Sequence, residues 1–365
     1  MTSMTNMTTM TTMTTMTTMT TMTSMSKRSI IGIALLVALV LAAVIARLLI
    51  GRDPIAGGIN FGWPVAEILV LRFGAVQSAL VAGASLGLSG LLLQALLRNP
   101  LASPFILGLS AGAGLGATAA LWILTASGAA AAPWMLIAVR GADGVIPGTI
   151  GSLGVLILVY ALGRRGGRLD PLTLVLAGTV VATLCGACIL LVQSLMPPAS
   201  RGDSWMWFMG QVPEMPSRGT LFTAIMVLSI AFAASVRSAA ALDVASTSDD
   251  EAESLGVSLR TLRVMLFVCA GTLASASVAL CGPIAFVGFV APHIARVVLG
   301  ARHTALVPAS LLAGAAVLVW ADAIRQSIDI GAGRLPIGVL TALIGGPIFL
   351  IVLRSGRSRS GEWRC

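Results

Sequence analysis

A chain of 365 residues that is 57% hydrophobic and only 10% charged lies far below the charge content of an ordinary soluble domain, about a quarter, and is read as a membrane protein. Its formal net charge of +9 raises nucleic acid as a partner, but the basic residues gather in the short connections on one side of successive apolar runs, the bias of a positive-inside membrane protein, and nucleic acid is set aside.

In chain order, residues 1–25 are almost wholly Met, Thr and Ser and are expected to be a disordered tail, with Met22 and Met25 as candidate starts. Lys27-Arg28 then precede a run too long for a typical signal-peptide core, so it reads as a first span with its positive end inside. Runs of about 20 apolar residues, enough to cross a bilayer, recur near 30–50, 77–97, 105–126, 145–163, 172–195, 220–241, 262–282, 305–324 and 336–354, with a shorter one at 284–299. Ten spans are therefore expected in a permease domain of residues 26–355, followed by a basic tail, 356–365. The alternation puts both termini on the cytoplasmic side with Arg98, Arg164, Arg165, Arg168, Arg237, Arg260 and Arg263, while Trp63, Trp134, Trp205 and Trp207 fall at the opposite interface. No stretch is left for a soluble catalytic domain, so nucleotide chemistry must sit on another chain.

Several local patterns have competing readings. Gly112-x-Gly114-x-x-Ala117 mimics a dinucleotide fingerprint but lacks the preceding strand and following acid. Gly83-x-x-x-Gly87 and Gly108-x-x-x-Gly112-x-x-x-Gly116 instead read as close helix packing. Cys185-x-x-Cys188 has a redox or metal spacing without a second pair; these thiols, like Cys269 and Cys281, read as small buried groups, and no metal site is expected. QALLRNPLASPFILG, 94–108, is a tight polar turn in which Asn99 and Ser103 are candidate caps. SDDEAESLGVSLRTLR, 248–263, is the one conspicuous acidic cluster: a short helix carrying Asp249, Asp250, Glu251, Glu253, Ser254 and Leu255 and ended by Gly256, either a solvated cap or a docking surface for a cytoplasmic partner. Further on, Gly282-Pro283 and Pro292 predict two interruptions, with His293 and Arg296 near the inner end of a short broken helix. Asp322 and Arg325, three apart, are expected to pair.

GASLGLSGLLLQALLRNPLASPFILGLSAGAGLGA (83–117), LAGTVVATL (176–184), SDDEAESLGV (248–257), GPIAFVGFVAPHIARVVLGARHTALVPASLLAG (282–314), ADAIRQ (321–326) and LPIGVLTALIGGPIFLIVLR (335–354) together resemble the permease subunits of the FecCD family, type II ABC importers of ferric siderophores, haem and cobalamin. The resemblance implies an all-α fold of ten transmembrane helices in the cytoplasmic membrane of a prokaryote. It also implies a second permease subunit, identical or paralogous, two cytoplasmic ATPase subunits that hold the ATP and Mg, and an extracytoplasmic substrate-binding protein. This chain itself would need no cofactor and catalyse no reaction. The resemblance further makes 248–257 the coupling helix, places a cytoplasmic gate at Asp170, Pro171, Leu172 and Thr173, and assigns binding-protein docking to Arg72 and Arg334. The chain departs from the family where a basic-Leu-Pro-Arg run is replaced by LRFGA. An ion-coupled secondary transporter is the rival class, and the spans lack the mid-membrane acidic cluster it needs.

Overall fold

In a bilayer every backbone amide must be bonded internally, so apolar runs become helices. The computed structural model describes residues 27–52, 59–127, 145–165, 168–197, 208–328 and 335–359. Its principal helices are α1 (Lys27–Leu49), α2 (Ala66–Leu97), α3 (Leu109–Ser127), α4 (Val145–Leu162), α5 (Pro171–Leu195), α6 (Arg218–Arg237), α7 (Ala239–Ala245), α8 (Asp249–Ser254), α9 (Leu259–Cys281), α10 (Val287–Leu299), α11 (His303–Ser327) and α12 (Ile337–Arg359), with one 3-10 turn at Pro104–Leu107. Two antiparallel ribbons close connections that the sequence leaves as loops: β1 (Ile50–Arg52) with β2 (Ile59–Phe61), and β3 (Arg164–Arg165) with β4 (Arg168–Leu169).

Among the described residues seven helices, α1, α2, α3, α5, α6, α9 and α11, are long and apolar enough to cross a membrane, and α4, α10 and α12 carry shorter apolar stretches. Each expected span thus coincides with a helix, though the count of ten full crossings does not follow from these lengths. The 13 residues of α10 cover only about 20 Å at 1.5 Å per residue. The tail expected from residue 356 begins inside α12, which runs on to Arg359; the Met/Thr segment 1–25 and residues 360–365 lie outside the described residues.

Helix α2 is the centre of the bundle. It is apolar on every side, which suits a helix enclosed by others, and it packs most extensively against α11 and α9. Close approach depends on missing side chains: a Cβ on Gly83 or Gly87 would collide with the α11 backbone at Gly314 or Ser310. The same device joins α3 to α4, where a Cβ on Gly112 would lie 2.7 Å from the Gly151 carbonyl oxygen. Small-residue spacing therefore marks helix contacts, as expected.

Between α9 and α10 the helix stops at Gly282 (φ +71°), and Phe286 (φ +66°) starts the next one in the left-handed region. The second interruption expected at Pro292 is absent, because Pro292 lies inside a continuous α10. A proline there removes the amide that would bond the Gly288 carbonyl four residues earlier. That carbonyl lies against α2 so closely that a Cβ on Gly90 would strike it. The lost bond falls at a helix contact, and the helix continues through it.

Candidate functional site

The acid-rich segment forms at one end of the bundle. Ser248 caps α8 by accepting the Glu251 amide at 3.1 Å, and Gly256 (φ +83°) ends it in the left-handed conformation that glycine adopts without strain. Ala252 is fully buried while Asp250, Glu251, Glu253, Ser254, Leu255 and Gly256 are exposed. Asp249 is the anchor. Its carboxylate takes hydrogen bonds from Arg98, just beyond α2 (2.5 Å), and from Arg263 of α9 (2.7 Å). Arg98 also donates to the Ala245 carbonyl at 2.7 Å, tying in α7. Partial burial pushes the Asp249 carboxyl up, but the hydrogen bonds and charges of Arg263, and after them those of Arg98, outweigh it and hold the group below the ordinary carboxylate value. A negatively charged, one-and-a-half-turn helix is thereby presented to solvent on a fixed base.

Behind α8 lies a cleft of about 270 Å³, lined by Arg98, Arg263, Arg296 and His303 together with leucines of α2, α7, α9 and α11. Arg296 of α10 donates to Gln94 Oε1 at 2.5 Å. His303, the first residue of α11, is fastened by Asp243 of α7, which accepts both its backbone amide and its ring Nδ1 hydrogen bond at 2.8 Å. His293 sits half-buried on α10 and does not line the cleft. At the same end Asp170 caps α5, accepting from the Thr173 amide at 2.8 Å and from its hydroxyl, with Pro171 at the first helical position and Leu172 exposed. The four residues expected to form a gate therefore make the N-terminus of α5. Asn99 accepts from the Leu101 amide at 2.9 Å, whereas Ser103 makes no side-chain cap.

The opposite end holds a second charged group. Asp322, fully buried on α11, pairs with Arg325 as expected and also with Arg47, from the last turn of α1. The Arg47 guanidinium reaches within 3.9 Å of Glu214. Arg72 is buried and donates to the Leu48 carbonyl, with its guanidinium over Gly51. Arg334 lies outside the described residues. Residues 209–213 form a strap across this end: Gln211 donates its amide to the Cys281 carbonyl (2.8 Å), the Ser78 hydroxyl donates to the Pro213 carbonyl (3.1 Å), and the Met209 carbonyl accepts from Gly338 (3.0 Å). The irregular backbone at Gly282-Pro283 is enclosed by this strap, as membrane-depth irregularity requires. Among the described residues no group of three or more His, Cys, Asp or Glu side chains gathers to hold a metal.

Comparison with known proteins bears on this arrangement. The model of the FecCD transport family matches residues 61–355. The chain belongs to that family. It is 32% identical to the hemin transport system permease protein of Yersinia pestis, over 80% of this chain and 85% of that one. It is 33% identical to the cobalamin import system permease protein of Halobacterium salinarum (84% and 79% covered), and 34% identical to the Fe(3+)-citrate import system permease protein of Bacillus subtilis (80% and 82% covered). Among solved structures, an inward-facing metal-chelate type ABC transporter superposes with a TM-score of 0.74 at 26% identity, covering 89% of this chain and 99% of that one. The FecCD protein described here is accordingly an all-α, multi-pass permease subunit of the ABC importer type, a transport subunit and not an enzyme.

The sequence missed the anchors. Arg98, Arg263 and Asp243 are ordinary charged residues near helix ends, and nothing in their spacing reveals that they meet across α2, α7, α9 and α11. Arg47 carried the one available signal, a cation in the last turn of an apolar span that an acidic residue elsewhere could neutralise.

Proposed function

We propose that this FecCD permease moves a metal chelate, a ferric siderophore, through a ten-helix pathway shared with a second permease subunit, and that α8 transmits the force. The supporting observation is α8 itself. It exposes Asp250, Glu251, Glu253 and Leu255 on a base locked by Asp249 to two other helices, so a push on α8 is carried directly into α2 and α9. In this reading the α8 end and both termini face the cytoplasm, and each of two ATPase subunits receives one segment Asp249–Gly256 in a cleft. ATP closes the ATPase pair, and the helices rock between outward and inward states. Asp170, Pro171, Leu172 and Thr173 at the start of α5 form the cytoplasmic gate. The opposite end, with Arg72 and Arg334, receives the binding protein. The short helix α10 and its break at Gly282-Pro283 hold His293 and Arg296 at the cytoplasmic side.

A siderophore is the cargo class chosen because the Bacillus subtilis relative carries an iron chelate by name. The hemin and cobalamin relatives are similar at nearly the same identity, so these two cargoes are the competing outcomes. The test is uptake by proteoliposomes holding the permease, its ATPase and its binding protein, offered a ferric siderophore, haem or cobalamin. ATP-dependent accumulation of the siderophore is expected. Accumulation driven by an ion gradient without ATP would overturn the importer reading, and preference for haem or cobalamin would overturn the cargo alone. Glu251→Arg with Glu253→Arg, or Gly256→Trp, should leave membrane insertion intact and remove the ATPase from the purified complex; co-purification at normal yield would refute coupling through α8.

A further inference from the structure

The cleft behind α8 is not accounted for by coupling. It lies where α2 ends, α9 begins, α10 ends and α11 begins, so four helix termini place it level with the headgroups of one leaflet. Its charges do not balance. Three arginines line it, Arg98, Arg263 and Arg296, and one carboxylate, that of Asp249, is shared by the first two. His303 already has Asp243. Arg296 is held by a neutral amide oxygen, that of Gln94, which orients a guanidinium without cancelling its charge. The rest of the lining is largely apolar, with Leu96, Leu242, Leu262 and Leu306 among others, each almost wholly covered by its neighbours. A basic pocket between helix ends at the membrane surface is the kind that anionic lipid headgroups occupy, and a guanidinium fork matches phosphate oxygens in pairs.

We propose that this cleft binds the headgroup of one acidic phospholipid, its phosphate on Arg296 and Arg98 and its acyl chains in the surrounding bilayer. The lipid's negative charge offsets the arginine excess at the base of α8. The site goes beyond the transport reading and depends only on the helices spanning a bilayer. A free phosphate ion would use the same arginines, but the cleft's place among helix ends at headgroup level favours a phosphate that the bilayer itself holds there.

The test uses the full chain, purified in detergent, delipidated and shown monodisperse, with retained lipid counted by native mass spectrometry after adding phosphatidylglycerol or phosphatidylcholine. One phosphatidylglycerol per chain is expected, bound in preference to phosphatidylcholine. Arg296→Gln should weaken it about fivefold, the worth of one basic residue near an anionic surface, and Arg296→Lys, which keeps the charge, should weaken it less. Arg237→Gln, outside the cleft, should have no effect. Equal retention of the two lipids, or unchanged retention in Arg296→Gln, overturns the proposal. Displacement of the lipid by inorganic phosphate at comparable concentration overturns the lipid as occupant. Because no step requires ATP or cargo, failure here leaves the transport reading standing, and failure of uptake leaves this one standing.

Discussion

Asp249 and Asp322 each hold two arginines, and their surroundings make the consequences opposite. The side chain of Asp249 is 43% exposed and that of Arg98 39%, so each ion pair is worth about 0.5 kcal/mol once solvent screening is counted. Asp249→Asn should therefore cost the whole protein little, about 1 kcal/mol at most, yet speed hydrogen exchange in α8 and lower the ATPase rate stimulated by cargo. The pH dependence has a definite sign. A carboxyl held below its ordinary value adds stability that is complete above about pH 4 and lost only as pH falls through the lower folded-state value. Exchange in α8 should thus be flat from pH 8 to 5 apart from the intrinsic rate, and a loss of protection near pH 6 would rule out Asp249 as the anchor. Asp322, with no exposure, sits between Arg47 and Arg325, both nearly buried. Asp322→Asn takes the counter-ion from Arg325 and leaves Arg47 only the more distant Glu214, and breaking a buried pair in this way costs about 3–5 kcal/mol. A large fall in melting temperature in detergent is expected, and Arg47→Met with Asp322→Leu and Arg325→Met should recover most of it; a melting temperature unchanged by Asp322→Asn would show that the buried charges are not what fastens α1 to α11.

At the scale of elements, α10 separates what sequence can say from what it cannot. Pro292 is a local signal, and taken locally it predicts a break. The break does not occur: α10 runs through Pro292, and Gly288, whose carbonyl the proline frees, is pressed against Gly90 of α2, a residue about two hundred positions away. Pro292→Ala should therefore leave melting temperature and uptake close to the parent values. Gly90→Ala should be severe, since its methyl group would occupy the Gly288 carbonyl; a Gly90→Ala protein with parental melting temperature would refute the close contact. By the same logic the helices, the small-residue contacts and the acidic segment were legible, since hydrophobic runs, Gly spacings and an Asp/Glu cluster are properties of neighbours in sequence. The strap at 209–213, the hold of Asp243 on His303 and the fork of Asp249 onto Arg98 and Arg263 were not, because each joins residues whose only relation is the packing of several helices. The ribbons at Ile50–Phe61 and Arg164–Leu169 escaped for a different reason: two or three residues are too few for an alternation to register.

For the molecule as a whole, the end opposite α8 carries a field before it carries contacts. Arg47, Arg72 and Arg325 stand against Asp322 and Glu214 there, with Arg218 and Glu67 exposed nearby, so these seven charges sum to one positive unit. Such a field steers an acidic partner over roughly a Debye length, about 8 Å in physiological salt, and acts on association more than on final affinity. Arg72 contributes to it although its guanidinium is engaged on the Leu48 carbonyl. The same burial means that a charge-reversed Arg72 would unsettle the α1–α2 ribbon and confuse docking with folding. Arg72→Gln is the cleaner variant, since an amide can still donate to Leu48 while the charge is gone. In nanodiscs it should melt only a degree or two lower, since a neutral amide replaces a charge-assisted donor at a difference of about 1 kcal/mol, and associate with the binding protein more slowly at low salt. The difference in association rate should vanish at high salt while the difference in melting temperature persists. A rate deficit that survives high salt would mean that Arg72 acts through the shape of the ribbon, and an unchanged rate at low salt would remove this residue from docking altogether.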